Sequence, residues 1–272
     1  MSLRYFFTRL CFIMTNRFNP YAQSDKKTYG GVSTSGGYLP HEYGTQYLPT
    51  SDYPVNRAVQ RGMKRTSLRS MGRKRLADAT VLALGYVVVI WAVHIVNTVF
   101  FGGTLAQELG VHPLDGSSSW HIFTSPLVHG SYMHISANTL PGLIFVFLIG
   151  LSGRRPFWEV TMITAVVGGM GTWIFGGIGT THIGASGLIY GWLAYLVVRG
   201  IFNKSFSQVV LGMVLAFMYG GLIWGVLPGD VGVSWQAHLF GAIGGLIAGA
   251  TITSDDPPAL KARREQQALH RA

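Results

Sequence analysis

A serine, two histidines and an asparagine lie in segments of the chain that are otherwise apolar. Ser186 stands within Gly-Ala-Ser-Gly, His238 lies in a second apolar segment, and His134 and Asn138 are four residues apart. Polar groups in such segments are costly and therefore point to a function. An imidazole that accepts the proton of a serine hydroxyl makes that oxygen a nucleophile, so Ser186 and His238 are the candidate catalytic pair. His134 and Asn138 share one helical face and, with the Ser186 backbone N–H, could stabilise an oxyanion.

Supporting residues surround this candidate pair. The neighbouring segments contain no Asp or Glu that could complete a triad, so the pair would act as a dyad. Tyr190 follows Ser186 by one helical turn and is a candidate to orient the imidazole of His238. Small residues spaced four apart allow two helix backbones to come close. Such spacing occurs around the serine and the histidine, at Gly187, Gly191, Gly241, Gly245 and Gly249.

The elements that must position these residues are apolar stretches long enough to cross a bilayer. Hydrophobic residues make up 49% of the 272 residues and charged residues only 12%. We predict six transmembrane helices, at roughly 80–101, 131–151, 156–176, 184–199, 206–227 and 234–253. Buried helices of a soluble core are the alternative, and the near absence of charge from every helical face argues against it. The predicted fold is an all-α polytopic membrane protein.

The basic residues indicate the orientation of these helices. The net charge is +10, and the 21 Lys and Arg residues occur in four groups, at positions 1–75, 154–155, 199–204 and 261–271. With six spans, all four groups fall on the same side, which the positive-inside rule makes cytoplasmic. We therefore predict a multi-pass plasma membrane protein with both termini in the cytoplasm. Because the basic residues mark helix ends and do not form a face, we expect no nucleic-acid partner.

Helix rise tests whether the polar residues can meet. Ser186 lies 13 residues from Arg199, and Asn138 lies 16 residues from Arg154. His238 is 17 residues from Asp255. At about 1.5 Å per residue these separations correspond to roughly 20, 24 and 26 Å above the cytoplasmic ends. The serine, the amide and the imidazole are thus predicted to lie in one outer layer.

Composition divides the chain into three parts. Residues 1–78 are predicted to form a disordered basic cytoplasmic tail, because most of the segment is polar and shows no helical period. The eight basic residues within 57–75 are expected to set the topology and to contact anionic lipid. Residues 79–253 form the six-helix membrane domain, and residues 254–272 a short cytoplasmic C-terminal tail.

At these residues the chain resembles a known family. Gly184-Ala-Ser186-Gly187, with Gly191 four residues further on, resembles the GxSGxxxG signature of rhomboid intramembrane serine proteases. Ala237-His238-Leu-Phe-Gly241 and the glycines after it are similar to the family's AHxxGxxxG. The histidine-rich segment from His129 to Asn138 and the six-helix rhomboid-like bundle also match. The resemblance covers about residues 79–253.

The resemblance implies an endopeptidase that cleaves transmembrane segments of other membrane proteins in the lipid bilayer, without a cofactor or metal. It assigns Ser186 as the nucleophile and His238 as the general base. The oxyanion would be bound by His134, Asn138 and the Ser186 backbone. Tyr190 would stack on His238, while His129, Gly184 and Gly187 would support the site. The chain departs from the family at Trp120-His121, where the family usually carries Trp-Arg. We therefore expect the first outer loop to pack differently from that of other family members.

Other functions are less well supported by residue types. A catalytically silent rhomboid-like scaffold that binds membrane-protein clients is the main alternative, although such scaffolds usually lose the serine or the histidine. A zinc protease would require HExxH, an aspartyl protease needs paired aspartates, and a transporter would show charged or broken helices at the midplane. We expect the remaining histidines to be structural or solvated: His94, His112, His121 and His182.

Overall fold

The computed structural model describes the backbone of residues 57–229 and 232–269 and the side chains from Ser70 onward, except that of Ala259. These residues are helical apart from their connections, as expected for an all-α protein, and one isolated bridge pairs Val111 with His182. The longer helices are α1 (Arg57–Phe100), α2 (Tyr132–Gly150), α3 (Arg154–Phe175), α4 (Ser186–Phe202), α5 (Phe206–Met218), α6 (Trp235–Thr251) and α7 (Pro258–Leu269). Shorter turns of helix occur at Leu105–Glu108, Gly116–Ile122, Ser125–Leu127 and Gly220–Val226.

The predicted helices at 131–151, 156–176, 184–199 and 234–253 agree with α2, α3, α4 and α6 to within a few residues. The first helix differs, because α1 begins at Arg57 rather than near residue 80. Residues 57–79 contain no proline, and Arg, Lys, Leu and Met are good helix formers, so nothing ends the helix there. Part of the predicted disordered tail is therefore helical, and residues 1–56 lie outside the described residues. The C-terminal segment 254–272, predicted only as a short tail, contains α7.

The predicted single helix over 206–227 is wrong, because the chain bends there. Helix α5 ends at Met218, and the 3₁₀ segment Gly220–Val226 follows at an angle of 66°. The two consecutive glycines at the start of this segment are poor helix formers, which explains the interruption. The bend brings the 3₁₀ segment close to α6.

Within the described residues, two helical stretches are suited by length and composition to cross a membrane, Ser70–Phe100 and Tyr132–Gly150. A third is added if the bent pair Phe206–Met218 and Gly220–Val226 counts as one span. Helix α4 is apolar but has only 17 residues, about 25 Å of helix, which is less than the roughly 30 Å of a hydrocarbon core.

Helix α4 is the centre of the bundle. It contacts α2, α3, α5 and α6, whereas α1 packs mainly on α2. Fully buried aromatic side chains fill the space around it, with Trp192 and Tyr195 from α4 and Phe145 from α2. Because the beginning of α4 is held by several neighbours at once, side chains on adjacent helices have fixed positions relative to Ser186.

Candidate active site

Ser186 and His238 are in hydrogen-bond contact. Ser186 is the first residue of α4, and no side chain caps this helix end. His238 lies one turn inside α6, and its Nε2 is 2.8 Å from the Ser186 Oγ. The other ring nitrogen, Nδ1, is 2.8 Å from the carbonyl oxygen of Gly225 in the 3₁₀ segment. A carbonyl only accepts hydrogen bonds, so Nδ1 carries the proton and Nε2 is the acceptor for the serine hydroxyl.

Tyr190 stacks on the imidazole of His238. The ring centroids are 4.1 Å apart and the planes differ by 8°. The Tyr190 hydroxyl donates to the carbonyl oxygen of Leu222, at 2.8 Å. Tyr190 therefore contacts both the His238 ring and the 3₁₀ segment.

Glycines bring α4 and α6 together at backbone distance. A Cβ atom on Gly241 would overlap the carbonyl oxygen of Gly187, and one on Gly245 would overlap that of Gly191. A Cβ on Gly187 would lie 3.1 Å from the carbonyl oxygen of Ala237. Side chains larger than hydrogen at these positions would separate the helices, and with them Ser186 from His238.

His134 lies against the backbone that leads into Ser186. A Cβ atom on Gly184 would be 2.5 Å from Cε1 and Nε2 of this imidazole, and Gly184 has a φ of 103°, which favours glycine. Ser131 caps α2 by accepting from the His134 N–H at 3.1 Å. Asn138 is buried one turn further along, where its amide nitrogen donates to the His134 carbonyl oxygen at 3.0 Å. His134 thus lies beside the start of α4, and Asn138 follows it by one turn on the same face of α2.

His129 supports the same backbone from the other side. It is fully buried, and its Nε2 accepts a hydrogen bond from the Ala185 N–H at 3.4 Å. Burial, together with the neighbouring His134, lowers the pKa of His129 to about 4, so the ring is neutral and can accept. Its carbonyl oxygen is in turn 3.2 Å from Nδ1 of His94 in α1. His94 and His129 are therefore structural partners at the site.

The loop that contains Trp120-His121 is linked to Gly110 through its histidine. Nδ1 of His121 lies 2.8 Å from the carbonyl oxygen of Gly110, and its ring packs against Trp120 with centroids 4.4 Å apart. The His121 side chain is buried, whereas Trp120 is exposed. His121 therefore supplies a polar contact within the loop in which the family's arginine is missing.

Another histidine, His182, connects the segment before α4 to the start of α6. Its Nε2 is 3.0 Å from the carbonyl oxygen of Gly176, and its Nδ1 is 2.6 Å from the hydroxyl of Ser234, which caps α6. Two backbone hydrogen bonds of 2.9 Å pair it with Val111. Burial lowers the pKa of His182, although the bond to Gly176 opposes this shift.

The backbone acceptors at the site were missed by sequence reasoning. Neither Gly225 nor Leu222 carries a side chain that signals chemistry, and every residue has a carbonyl. The only hint in the sequence is the glycine content of the segment after α5. Among the described residues, no group of three or more His, Cys, Asp or Glu side chains is arranged to hold a metal ion.

Comparison with known proteins agrees with the motifs. The Rhomboid domain model matches residues 116–255, just over half of the chain. An uncharacterized protein of Mycobacterium tuberculosis is 37% identical over 208 residues, which cover 74% of this chain and 83% of that protein. An uncharacterized Mycobacterium leprae protein is 41% identical over 168 residues, 56% of this chain and 66% of that protein. A Bacillus subtilis protein with the provisional name of a rhomboid protease is 26% identical over 132 residues, 47% of this chain and 64% of its own length. The chain belongs to the Rhomboid domain family.

Proposed function

We propose that this protein is an intramembrane serine endopeptidase that hydrolyses a peptide bond in or near the transmembrane segment of other membrane proteins. Members of the Rhomboid family are generally intramembrane serine proteases, and one relative carries that name. The observation that carries the proposal is the 2.8 Å contact between Ser186 Oγ and the acceptor nitrogen of His238. A serine and a base in this geometry are the arrangement that activates a hydroxyl for nucleophilic attack.

The reaction would proceed through an acyl-enzyme. Ser186 Oγ attacks the scissile carbonyl carbon while its proton passes to Nε2 of His238, and the carbonyl oxygen becomes an oxyanion. The imidazolium then donates that proton to the leaving nitrogen as the C–N bond breaks. A water molecule, deprotonated by the same nitrogen, attacks the resulting ester, and the proton returns to Ser186 as the carboxyl product leaves.

Donors for the oxyanion surround the start of α4. The Ser186 N–H is at an uncapped helix start, where the helix dipole favours negative charge. His134 lies against Gly184, two residues before the serine, and we assign it and the Asn138 amide as the further donors. The Asn138 amide has two N–H donors, so one can keep the bond to the His134 carbonyl oxygen while the other donates to the oxyanion. Preorganised donors of this kind each contribute about 10²–10³ in turnover.

We further propose that residues 79–253 form a six-span domain of the plasma membrane with both termini in the cytoplasm. The distribution of basic residues supports this arrangement. Arg154, at the start of α3, bonds Asp78 near the beginning of the apolar part of α1, at 2.8 Å. Arg199, near the end of α4, bonds Asp255 after α6. The start of α3 therefore lies beside α1, and the end of α4 lies beside the segment that follows α6.

The test is cleavage of a single-span model substrate by the purified full-length protein in liposomes. Ser186→Ala and His238→Ala are each expected to lower kcat by about 10³-fold or more, because the nucleophile or its base is gone. Asn138→Ala is expected to lower kcat with little change in KM, since the oxyanion exists only after attack. Ser207→Ala, a serine outside the site, is the matched control.

Cleavage that persists in both the Ser186 and His238 variants would overturn the dyad assignment. A protein that binds membrane proteins in a pull-down but cleaves none of them, with the same binding in both variants, would instead be the silent scaffold. For the topology, a reporter fused to either terminus must be inaccessible to protease added outside intact cells.

A further inference from the structure

The 3₁₀ segment Gly220–Val226 supplies backbone acceptors to His238, which contacts the Ser186 hydroxyl, and to Tyr190, which stacks on His238. The Gly225 carbonyl oxygen accepts from Nδ1 of His238, and the Leu222 carbonyl oxygen accepts from the Tyr190 hydroxyl, each at 2.8 Å. The segment lies between α5 and α6, and neither bond involves one of its own side chains. Its backbone position therefore determines whether the base and the stacked tyrosine have their partners.

The side chains of the segment make few buried contacts. None of its seven residues is buried, and the Ile223 and Trp224 side chains are 60% and 72% exposed. It also meets α5 at a bend of 66° and does not continue that helix. Segments with few buried contacts separate from a fold at low cost. The two bonds to His238 and Tyr190 connect this exposed segment to α6 and α4.

The segment can approach Tyr190 and His238 closely because residue 225 is a glycine. A Cβ atom on Gly225 would overlap the hydroxyl oxygen of Tyr190 and would lie 3.1 Å from Nδ1 of His238. By contrast, Gly229 in the following connection has no atom within 4 Å of its Cβ position. Glycine at position 225 is therefore required by the contact with the dyad and not by the backbone conformation, since its φ is not positive.

We propose that the 3₁₀ segment is a positioning element of the dyad, and that Ser186 is reactive only while the Gly225 carbonyl is seated on His238. This inference rests on the proposed protease function. A neutral imidazole has one N–H, and the seated carbonyl selects the tautomer with the proton on Nδ1. Nε2 then accepts the Ser186 proton, and the resulting imidazolium keeps a charge-assisted bond to Gly225. When the segment moves away, both the tautomer and the ring orientation lose their constraint.

The experiment measures serine reactivity separately from substrate entry. A small fluorophosphonate phosphonylates an activated serine: the Oγ–P bond forms, the P–F bond breaks with loss of fluoride, and the serine proton passes to His238. Its second-order rate constant therefore reports on serine reactivity without the entry of a transmembrane substrate. In the full-length protein in detergent, Gly225→Ala is expected to lower this constant at least 10-fold, and to lower kcat for a single-span substrate by a similar factor with KM within about two-fold. Gly229→Ala, the matched control, is expected to leave both constants unchanged.

A second pair of variants distinguishes positioning from a general loss of folding. Tyr190→Phe keeps the ring stack but removes the bond to Leu222, and is expected to lower the labelling rate several-fold without changing Tm by more than a few degrees. It also removes the oxygen that an alanine at 225 would strike. Gly225→Ala should therefore cost less in the Tyr190→Phe background than in the wild type, so that the two changes are not additive.

The outcomes separate this inference from the proposed function. The positioning role would be overturned, and the protease assignment left intact, if Ser186 is labelled in the wild type and the Gly225→Ala and Tyr190→Phe variants are labelled at the same rate as the wild type. Fully additive losses in the double variant would also overturn it. A folded wild type that is neither labelled nor active would overturn the proposed function itself.

Discussion

Replacing Arg199 with alanine is expected to lower the free energy of unfolding by about 3–5 kcal/mol. Arg199 lies near the end of α4, and its guanidinium contacts the two carboxylates that follow α6. Nη2 donates to Asp256 at 2.8 Å and also to Asp255, while Nη1 donates to the Gly249 carbonyl oxygen at 2.8 Å. The three charged side chains are 3%, 2% and 0% exposed for Arg199, Asp255 and Asp256.

The magnitude follows from what remains after the substitution. Without the guanidinium, Arg264 would be the cation left to pair with the two buried carboxylates. Its side chain is 42% exposed, and its Nε lies 3.1 Å from Asp256. The Tyr195 hydroxyl would still donate to Asp255 at 2.7 Å. One uncompensated buried charge costs several kcal/mol, and this cost exceeds what the intact cluster contributes relative to a neutral one.

The assay is unfolding of the purified protein in mixed micelles with increasing dodecyl sulfate, followed by tryptophan fluorescence. Arg155→Ala is the matched control, because Arg155 pairs with Glu159 at 2.7 Å but its side chain is 82% exposed. Exposed pairs contribute about 0–1 kcal/mol, so this variant is expected to change the unfolding free energy by less than 1 kcal/mol.

Neutralising the two aspartates is expected to restore the stability that is lost when Arg199 is replaced. The triple variant Arg199→Met, Asp255→Asn and Asp256→Asn replaces all three buried charges with neutral side chains. It is expected to recover most of the unfolding free energy lost in Arg199→Ala. An unfolding free energy for Arg199→Ala within 1 kcal/mol of the wild type would refute the reasoning. So would a triple variant less stable than Arg199→Ala, since the cost would then not arise from buried charge.

Three further predictions concern the residues around the site. Gly245→Ala is expected to cost about 1–3 kcal/mol of stability and to slow serine labelling, because its Cβ would overlap the Gly191 carbonyl oxygen; unfolding and labelling measurements check both. Gly184→Ala is expected to lower kcat strongly and Tm only slightly, because a φ of 103° and contact with the His134 ring both oppose a side chain there. For His182, burial lowers the folded-state pKa, so its contribution to stability is present above the unfolded value near 6.5 and is lost as pH falls below it. Tm measured from pH 8 to pH 5 is expected to fall less steeply in His182→Gln.

The controls for these variants use the same chemistry elsewhere in the chain. Gly85→Ala on α1 introduces a Cβ with no atom within 4 Å and is expected to be neutral or slightly stabilising, as alanine is the better helix former. A loss at Gly245 no larger than that at Gly85 would contradict the close-packing argument. A His182→Gln protein with the wild-type dependence of Tm on pH would show that this histidine does not titrate with unfolding.

The sequence by itself predicted the helical class and the candidate pair. Long apolar stretches between basic groups left helices as the structure able to satisfy the backbone in a membrane. The glycine spacing around Ser186 and His238 predicted a close pair of helices, and the structure places the two side chains 2.8 Å apart. Periodicity and helix rise are local properties, which is why a single sequence was sufficient for both.

Only the tertiary structure decided which atoms complete the site. The acceptors for His238 and Tyr190 are backbone carbonyls of Gly225 and Leu222, and these groups are identical in every residue. The bend after α5, which brings them within reach, depends on packing against α6 and not on local preference alone. Arg199 gives the same lesson, since its charge marked a helix end in the sequence but is buried between two aspartates in the fold. Contacts between residues distant along the chain carry no periodic signal, so they become visible only when the helices are packed.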